Sequence, residues 1–172
     1  MSRLGKNGLW SAELEGSTRR LADSWVDNQV RGGLLLATPL LFEAGRVVLR
    51  LRADRLIENR AVRNVALGGD SGLRGYPIGA FLGQALAVGN LEVRTRGMRV
   101  SFMRLGVAAF WDFGHVAARF SDLVLHHDVG AGLRLLIPQL QPTVIRADWA
   151  FATQGPTAGL PGRFSAGFTQ AF

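Results

Sequence analysis

Apolar residues alternate with small, polar or charged residues along most of this chain, in segments of about ten residues. Successive side chains of a β-strand point to opposite faces of the sheet. The clearest segment runs from Ser101 to Gly114, where Trp111 and Phe113 alternate with Phe110 and Asp112. A helix would spread the polar positions of such a segment around its surface. The pattern therefore predicts β-strands with one apolar face.

Seven segments show this pattern clearly, and an eighth, Val30–Phe42, shows it weakly. The seven are Trp10–Glu15, Arg46–Asp54, Ala85–Arg94, Ser101–Gly114, Asp128–Ile137, Ile145–Phe151 and Phe164–Phe172. Clusters of Gly, Pro, Asp and Arg separate them. Strands of about 9–11 residues, with one face to lipid and one to the lumen, are typical of membrane β-barrels. We therefore predict an all-β fold, an antiparallel transmembrane β-barrel of about eight strands.

Composition weighs against other classes. In a soluble β-sandwich the second face would carry many Lys, Glu, Ser and Thr, but this chain has a single lysine, and its apolar faces would form exposed patches. The net charge is +7, yet the arginines are spread along the chain rather than clustered in a patch, which argues against a nucleic-acid partner. Without cysteine there is no disulfide framework and no thiolate metal site.

The N-terminal residues carry basic side chains, but no apolar segment follows them, so they do not form a signal peptide. A barrel in an outer membrane must be exported. We therefore expect the chain to be a piece of a longer precursor.

Four motifs follow one another in the second half of the chain. A glycine-rich segment ends in Arg74-Gly75-Tyr76, and Phe110-x-Asp112-x-Gly114 follows on a predicted strand. Gly130-x-Gly132-Leu133-Arg134 comes next, and the chain ends in Phe172. In this order and spacing the motifs resemble those of the BamA/TamA-type outer-membrane assembly factor superfamily, the bacterial surface antigen barrels. The similarity covers Leu67 to Phe172 and, more loosely, the chain from Leu9 onward.

The resemblance implies that a loop at residues 68–80 folds back into the lumen, where Arg74, Gly75 and Tyr76 are locked by Asp112. The residues themselves agree with this. Asp112 lies opposite the apolar Trp111 face, and a buried arginine needs a carboxylate partner. Supporting residues would be Phe110, Gly114, Gly132 and Arg134. The terminal strand, residues 163–172, would carry the assembly signal at Phe164, Phe168 and Phe172.

The resemblance also implies a function. Such barrels sit integrally in the bacterial outer membrane and insert or translocate polypeptides, so partners would be outer-membrane lipid and unfolded outer-membrane or secreted client proteins. No enzyme activity, cofactor or metal is expected. An eight-stranded barrel is too narrow for the inner arginines and the loop. We therefore expect the C-terminal half of a barrel of about sixteen strands, which lacks its N-terminal half and periplasmic domains.

Alternatives within the barrel class are a two-partner secretion transporter, and a passive channel or non-functional barrel fragment. The stretch Gly69–Gly72 is similar to the nucleophile segment of chymotrypsin-like proteases, but the only histidines, His115, His126 and His127, fall around one predicted loop. Adjacent His126 and His127 would point to opposite faces, which disfavours a shared metal.

The arginines on the inner face of the predicted barrel could line an anion pore. We favour the alternative that these arginines pair with acidic residues within the lumen. The candidate acids are Asp54, Glu92, Asp112 and Asp148.

Overall fold

The chain folds into an all-β structure, with no α-helix among the described residues. The computed structural model describes residues 2–4, 8–41, 44–137, 143–156, 158–159 and 161–170. Within these ranges, no helix combines the length and apolar character needed to cross a bilayer.

Eight long strands form one antiparallel sheet. They are β2 (Gly8–Leu21), β3 (Ser24–Ala37), β4 (Gly45–Ile57), β7 (Ala85–Thr95), β9 (Met103–Ala117), β10 (His126–Leu136), β11 (Thr143–Ala152) and β12 (Arg163–Gln170). Four short strands complete the set: β1 (Ser2–Leu4), β5 (Val65–Leu67), β6 (Phe81–Gly83) and β8 (Met98–Val100). Strands β1 and β8 extend the large sheet, whereas β5 and β6 pair only with each other.

All seven clear segments of the sequence lie on long strands, with shifted ends. The bounds of the eighth were wrong, because β3 begins at Ser24 and ends at Ala37. A tight turn at Ala22–Asp23 lets β3 follow β2 directly. The pattern blurs there because Leu34, Leu35 and Leu36 put apolar side chains on both faces of the strand. Phe42 lies outside the described residues.

The two faces of the sheet differ sharply. One face, called the charged face here, carries Asp112 and Asp148, which are 0% and 1% exposed. The other, the apolar face, carries Trp111, Trp149 and Phe168, which are 43%, 46% and 77% exposed. In β9 the exposure alternates residue by residue, as expected for a strand. The buried side is therefore the charged one.

The sheet is open. Among the described residues, β12 pairs with β11 alone and β1 with β2 alone, so the strands do not close into a barrel. The prediction of one antiparallel sheet of about eight strands is confirmed at that level. Strand β12 begins at Arg163, as predicted, and its last described residue is Gln170.

The segment between β5 and β6, residues 68–80, lies across the charged face of β7, β9, β10 and β11. It contributes to the small hydrophobic core of the protein. The members of this core are Leu67, Leu73, Tyr76, Leu86, Val88, Val116 and Ala152. Leu67 of β5 pairs with Phe81 of β6, so the two ends of the segment lie next to each other.

Candidate functional site

The segment at residues 68–80 places Arg74 in the middle of the charged face. A short 3-10 helix spans Gly69–Ser71, and Gly72 follows it with a φ of 146°, a conformation that favours glycine. A Cβ at Gly72 would also lie only 2.7 Å from Val88 Cγ2. The glycines therefore let the backbone turn and approach β7 closely.

The Arg74 guanidinium is 5% exposed and is held by three carboxylates. Nε and Nη2 donate to the two oxygens of Asp112 at 2.7 and 2.8 Å. Nη1 donates to Asp148 Oδ2 at 2.9 Å and to Glu92 Oε2 at 3.3 Å. A two-pronged arginine–carboxylate contact is strong and strongly directional. The pair of Arg74 and Asp112 expected from the sequence is present.

Strand register explains how three carboxylates converge. Asp112 on β9 lies opposite Asn90 on β7, and Glu92 lies opposite Phe110, one step along the same face. On the other side, Asp148 on β11 lies opposite Gly132 on β10. The acids thus come from three strands and surround one point. Asn90 Nδ2 donates to Asp112 Oδ1 at 2.8 Å and to the Gly72 carbonyl at 2.6 Å, which links the strand to the loop.

Phe110 forms the floor below the guanidinium, whose Cζ lies 3.3 Å from the ring centroid. A cation over an aromatic face is attracted by the ring quadrupole. The ring occupies the space above Gly130, where a Cβ would overlap it. At Gly132 a Cβ would overlap Asp148 Oδ1 and lie 2.6 Å from the Ala147 carbonyl oxygen. The Gly-x-Gly spacing of β10 therefore makes room for the floor and for one acid.

A second arginine, Arg134, completes the cluster. Its Nε and Nη2 donate to Glu92 Oε1 at 3.0 and 2.7 Å, and Nη1 donates to Asp148 Oδ1. Arg94 Nε donates to Glu92 Oε1 at 2.7 Å. Glu92 and Asp148 are thus each shared by arginines. We call Arg74, Arg134, Glu92, Asp112 and Asp148 the arginine cluster.

The two residues after Arg74 anchor the segment further. Gly75 N donates to Asp128 Oδ2 at 3.1 Å, and a Cβ there would lie 2.7 Å from Ala152 N. The Tyr76 hydroxyl lies 3.2 Å from the carbonyl oxygens of His127 and Gln154. The Arg-Gly-Tyr motif therefore contacts β7, β9, β10, β11 and the residues just after β11 through three consecutive residues.

Burial and ion pairing have opposite effects on the pKa of Arg74. Desolvation disfavours the charged guanidinium, but the hydrogen bonds and negative charge of Asp112, followed by Glu92 and Asp148, offset it and raise the pKa of Arg74 above its usual value. The arginine therefore stays charged at any physiological pH. Removing it would leave the buried Asp112 carboxylate without its arginine partner.

The other predicted residues lie apart from this cluster. Gly114 faces β7, where a Cβ would lie 2.7 Å from the Ala87 carbonyl oxygen. Phe164 and Phe168 lie on the apolar face, 59% and 77% exposed. Phe172 lies outside the described residues. The inner-face pairing favoured from the sequence extends beyond the cluster, since Asp54 contacts Arg31 at 2.7 Å and Arg52 at 3.2 Å.

Sequence reasoning missed three members of the site: Asn90, Asp128 and Asp70. Asp128 lies opposite Asp112, so a correct register between β9 and β10 would have found it. Asp70 accepts a hydrogen bond from Arg146 Nη2 at 2.6 Å. A contact between a loop and a strand leaves no periodic signal, so that pair was hidden.

The residues weighed for catalysis and metal binding have other contacts. Ser71 Oγ donates to the Gly68 carbonyl at 2.7 Å. The His126 ring packs against Phe81 at 4.6 Å, whereas His127 stacks on Trp111 at 5.6 Å, on the opposite face. Within the described ranges, no three His, Cys, Asp or Glu side chains come together as metal ligands. The arrangement holds a loop on a sheet.

Comparison of the chain with protein-family models, with curated proteins and with solved structures finds no match.

Proposed function

We propose that this chain is part of a bacterial outer-membrane β-barrel of the BamA/TamA-type assembly-factor kind, and that it assists insertion or translocation of polypeptides. One observation carries the proposal: the charged face is buried beneath a loop that Arg74 fastens to Asp112, while the opposite face exposes a band of large apolar residues. The resemblance of the four motifs agrees with that arrangement.

The exposed apolar face supports a lipid environment. Trp111 lies opposite Val129, and Trp149 lies opposite Ala131, one step along the same face. Trp111, Val129 and Trp149 are each more than two-fifths exposed. In water, such a contiguous patch would drive association. In a bilayer it meets acyl chains, and lipid-facing and inward-facing residues alternate along each strand, as in membrane barrels.

The mechanism we propose uses the open edge at β12. An edge strand presents unpaired N–H and C=O groups, and a client strand can add to it by backbone hydrogen bonds. The arginine cluster keeps residues 68–80 on the charged face, so that β10 and β11 hold β12 in register. This action needs no cofactor. The clients would be unfolded outer-membrane or secreted proteins.

A folding assay tests this proposal. The full chain is reconstituted into phosphatidylcholine liposomes, and a urea-unfolded small β-barrel is diluted onto them. We expect the client to reach its heat-modifiable folded form faster than on empty liposomes. Liposomes that carry an unrelated barrel of similar mass serve as the control for bilayer disturbance. Equal client rates on both kinds of proteoliposome would overturn the proposal.

A further inference from the structure

A cavity of about 580 Å³ lies beyond the arginine cluster, at the end of the sheet where β7 and β10 end and β9 and β11 begin. Six arginines line it: Arg46, Arg94, Arg96, Arg99, Arg104 and Arg134. Among the described lining residues there is no Asp or Glu.

Among the described residues, positive charge dominates the lining of this cavity, whereas the arginine cluster combines two arginines with three carboxylates. Arg94 and Arg134 share Glu92 at its inner end. For Arg46, Arg99 and Arg104, no carboxylate of the described part of the chain is within ion-pair distance. Strand register sets Arg46 opposite Arg94, and Arg99 opposite Arg104. Like charges directly opposite each other destabilise a sheet. An anion bound between them would remove that cost.

The chemistry of the lining indicates which anion fits. A guanidinium presents a planar fork of donors that matches the oxygens of phosphate, and several arginines line this one space. Leu40, Leu136 and Val144 line the same cavity, so an apolar group attached to the phosphate would also be accommodated. The volume leaves room for more than one phosphate group.

We propose that this cavity is a binding site for a phosphate-bearing ligand, with Arg46, Arg99 and Arg104 as its principal contacts. The proposal rests on the geometry of the charged face and is independent of the assembly activity proposed above. Both a lipid headgroup and a soluble phosphate compound present this chemistry. The test therefore has one arm for each source.

The first test uses the unaltered chain in zwitterionic detergent. Phenylglyoxal modifies accessible arginines, and mass spectrometry reports the extent at each one. We expect inorganic pyrophosphate, at an ionic strength matched with sodium chloride, to protect Arg99 and Arg104. Arg20 and Arg60 are exposed and lie outside the cavity, so they serve as controls within the same molecule. Equal protection of the two cavity arginines and the two control arginines, or no protection of any of them, would contradict the proposed site.

The second test uses two variants that remove the same charge. Arg99→Gln/Arg104→Gln should raise the Kd for pyrophosphate by about tenfold or more, because charge-assisted hydrogen bonds are lost. Arg20→Gln/Arg60→Gln should leave it within about twofold, since only long-range charge changes. A similar rise in both variants would show unspecific attraction and contradict the proposal.

The lipid arm compares phosphatidylcholine vesicles with and without phosphatidylglycerol, in the absence of soluble phosphate. Protection of Arg99 and Arg104 by phosphatidylglycerol assigns the site to a lipid headgroup, and protection by pyrophosphate alone assigns it to a soluble phosphate compound. Polyglutamate, at matched charge, is the competitor of different chemistry. If it protects the cavity arginines better than pyrophosphate does, the site recognises carboxylates and the phosphate assignment is wrong.

Discussion

At the scale of single residues, Arg74 and the acids around it hold the segment at residues 68–80 on the charged face. The guanidinium satisfies both oxygens of Asp112 and reaches Glu92 and Asp148, and all four side chains are nearly inaccessible to solvent. A buried ion pair gains little over an apolar pair of the same shape, but breaking it leaves an uncompensated charge. The cluster therefore fixes where the loop lies more than it adds to net stability.

Replacing Arg74 should thus be costly. We expect Arg74→Ala to lower the free energy of unfolding by about 3–5 kcal/mol, because Asp112 loses its arginine partner while it stays buried. Urea unfolding in detergent micelles measures the change. Arg60→Ala is the control, since Arg60 is exposed. Arg74→Ala/Asp112→Ala should cost less than the sum of the two single changes. Additive losses, or an Arg74→Ala loss no larger than that of the control, would contradict the pairing argument.

Gly132 should also be sensitive to substitution, but less than Arg74 and for a steric reason. Gly132→Ala would push a methyl group into Asp148 Oδ1, and we expect a loss of about 1–3 kcal/mol in the unfolding free energy. Gly32→Ala on β3 is the matched control, because nothing lies within 4 Å of the added Cβ. The same urea experiment compares them. If the two alanine variants unfold alike, Gly132 is not needed for space.

At the scale of elements, the periodic part of the structure was predictable and the rest was not. Long strands follow from alternation, so β9 and β10 were found within a few residues of their ends. Strands of three residues, such as β5 and β6, are too short to show a period. The pair of Arg74 and Asp112 was found through the motif resemblance and the face of Asp112. Asp128 was missed because register between strands cannot be read from one strand's pattern.

The segment at residues 68–80 should be protected as a unit. Trypsin cleaves after arginine, and Arg74 is inaccessible while the segment is docked. Gly75→Ala places a Cβ 2.7 Å from Ala152 N and from Asp128 Cβ, so it should release the segment and expose the Arg74–Gly75 bond. Mass spectrometry of a brief digest in detergent should find that cut in the variant alone. Ile78→Ala, at a residue that is 81% exposed, is the control. Cleavage after Arg74 in the unaltered chain would mean that the segment is not docked.

At the scale of the whole molecule, the open sheet has two edges that no strand of the described residues pairs with. In lipid, each unpaired backbone group costs several kcal/mol, roughly. Eight strands also enclose too little volume for the arginine cluster and its loop. The sequence predicted the number of long strands from their pattern, whereas closure depends on what pairs with the edges, which no strand pattern encodes.

We therefore expect the isolated chain to associate through its edges in detergent, as measured by light scattering after size exclusion. The variants Ser165→Pro and Ala166→Pro test whether this association uses the edge of β12. Successive N–H groups point to opposite sides of a strand, so one substitution removes an edge donor and the other breaks the ladder to β11. The variant that removes only an edge donor should abolish association and leave β12 paired with β11. A monomer that closes fully, with Arg74 still buried, would contradict the volume argument.

The most direct measurement of the central claim is quenching of tryptophan fluorescence by lipids brominated on their acyl chains. In Trp10→Phe/Trp25→Phe the remaining tryptophans, Trp111 and Trp149, lie on the apolar face. We expect mid-chain bromines to quench them strongly in reconstituted vesicles. A reference chain without native tryptophans, carrying Val124→Trp at an exposed loop residue, should be quenched far less. If Trp111 and Trp149 are quenched no more than that reference, the apolar face does not meet lipid and the membrane account is wrong.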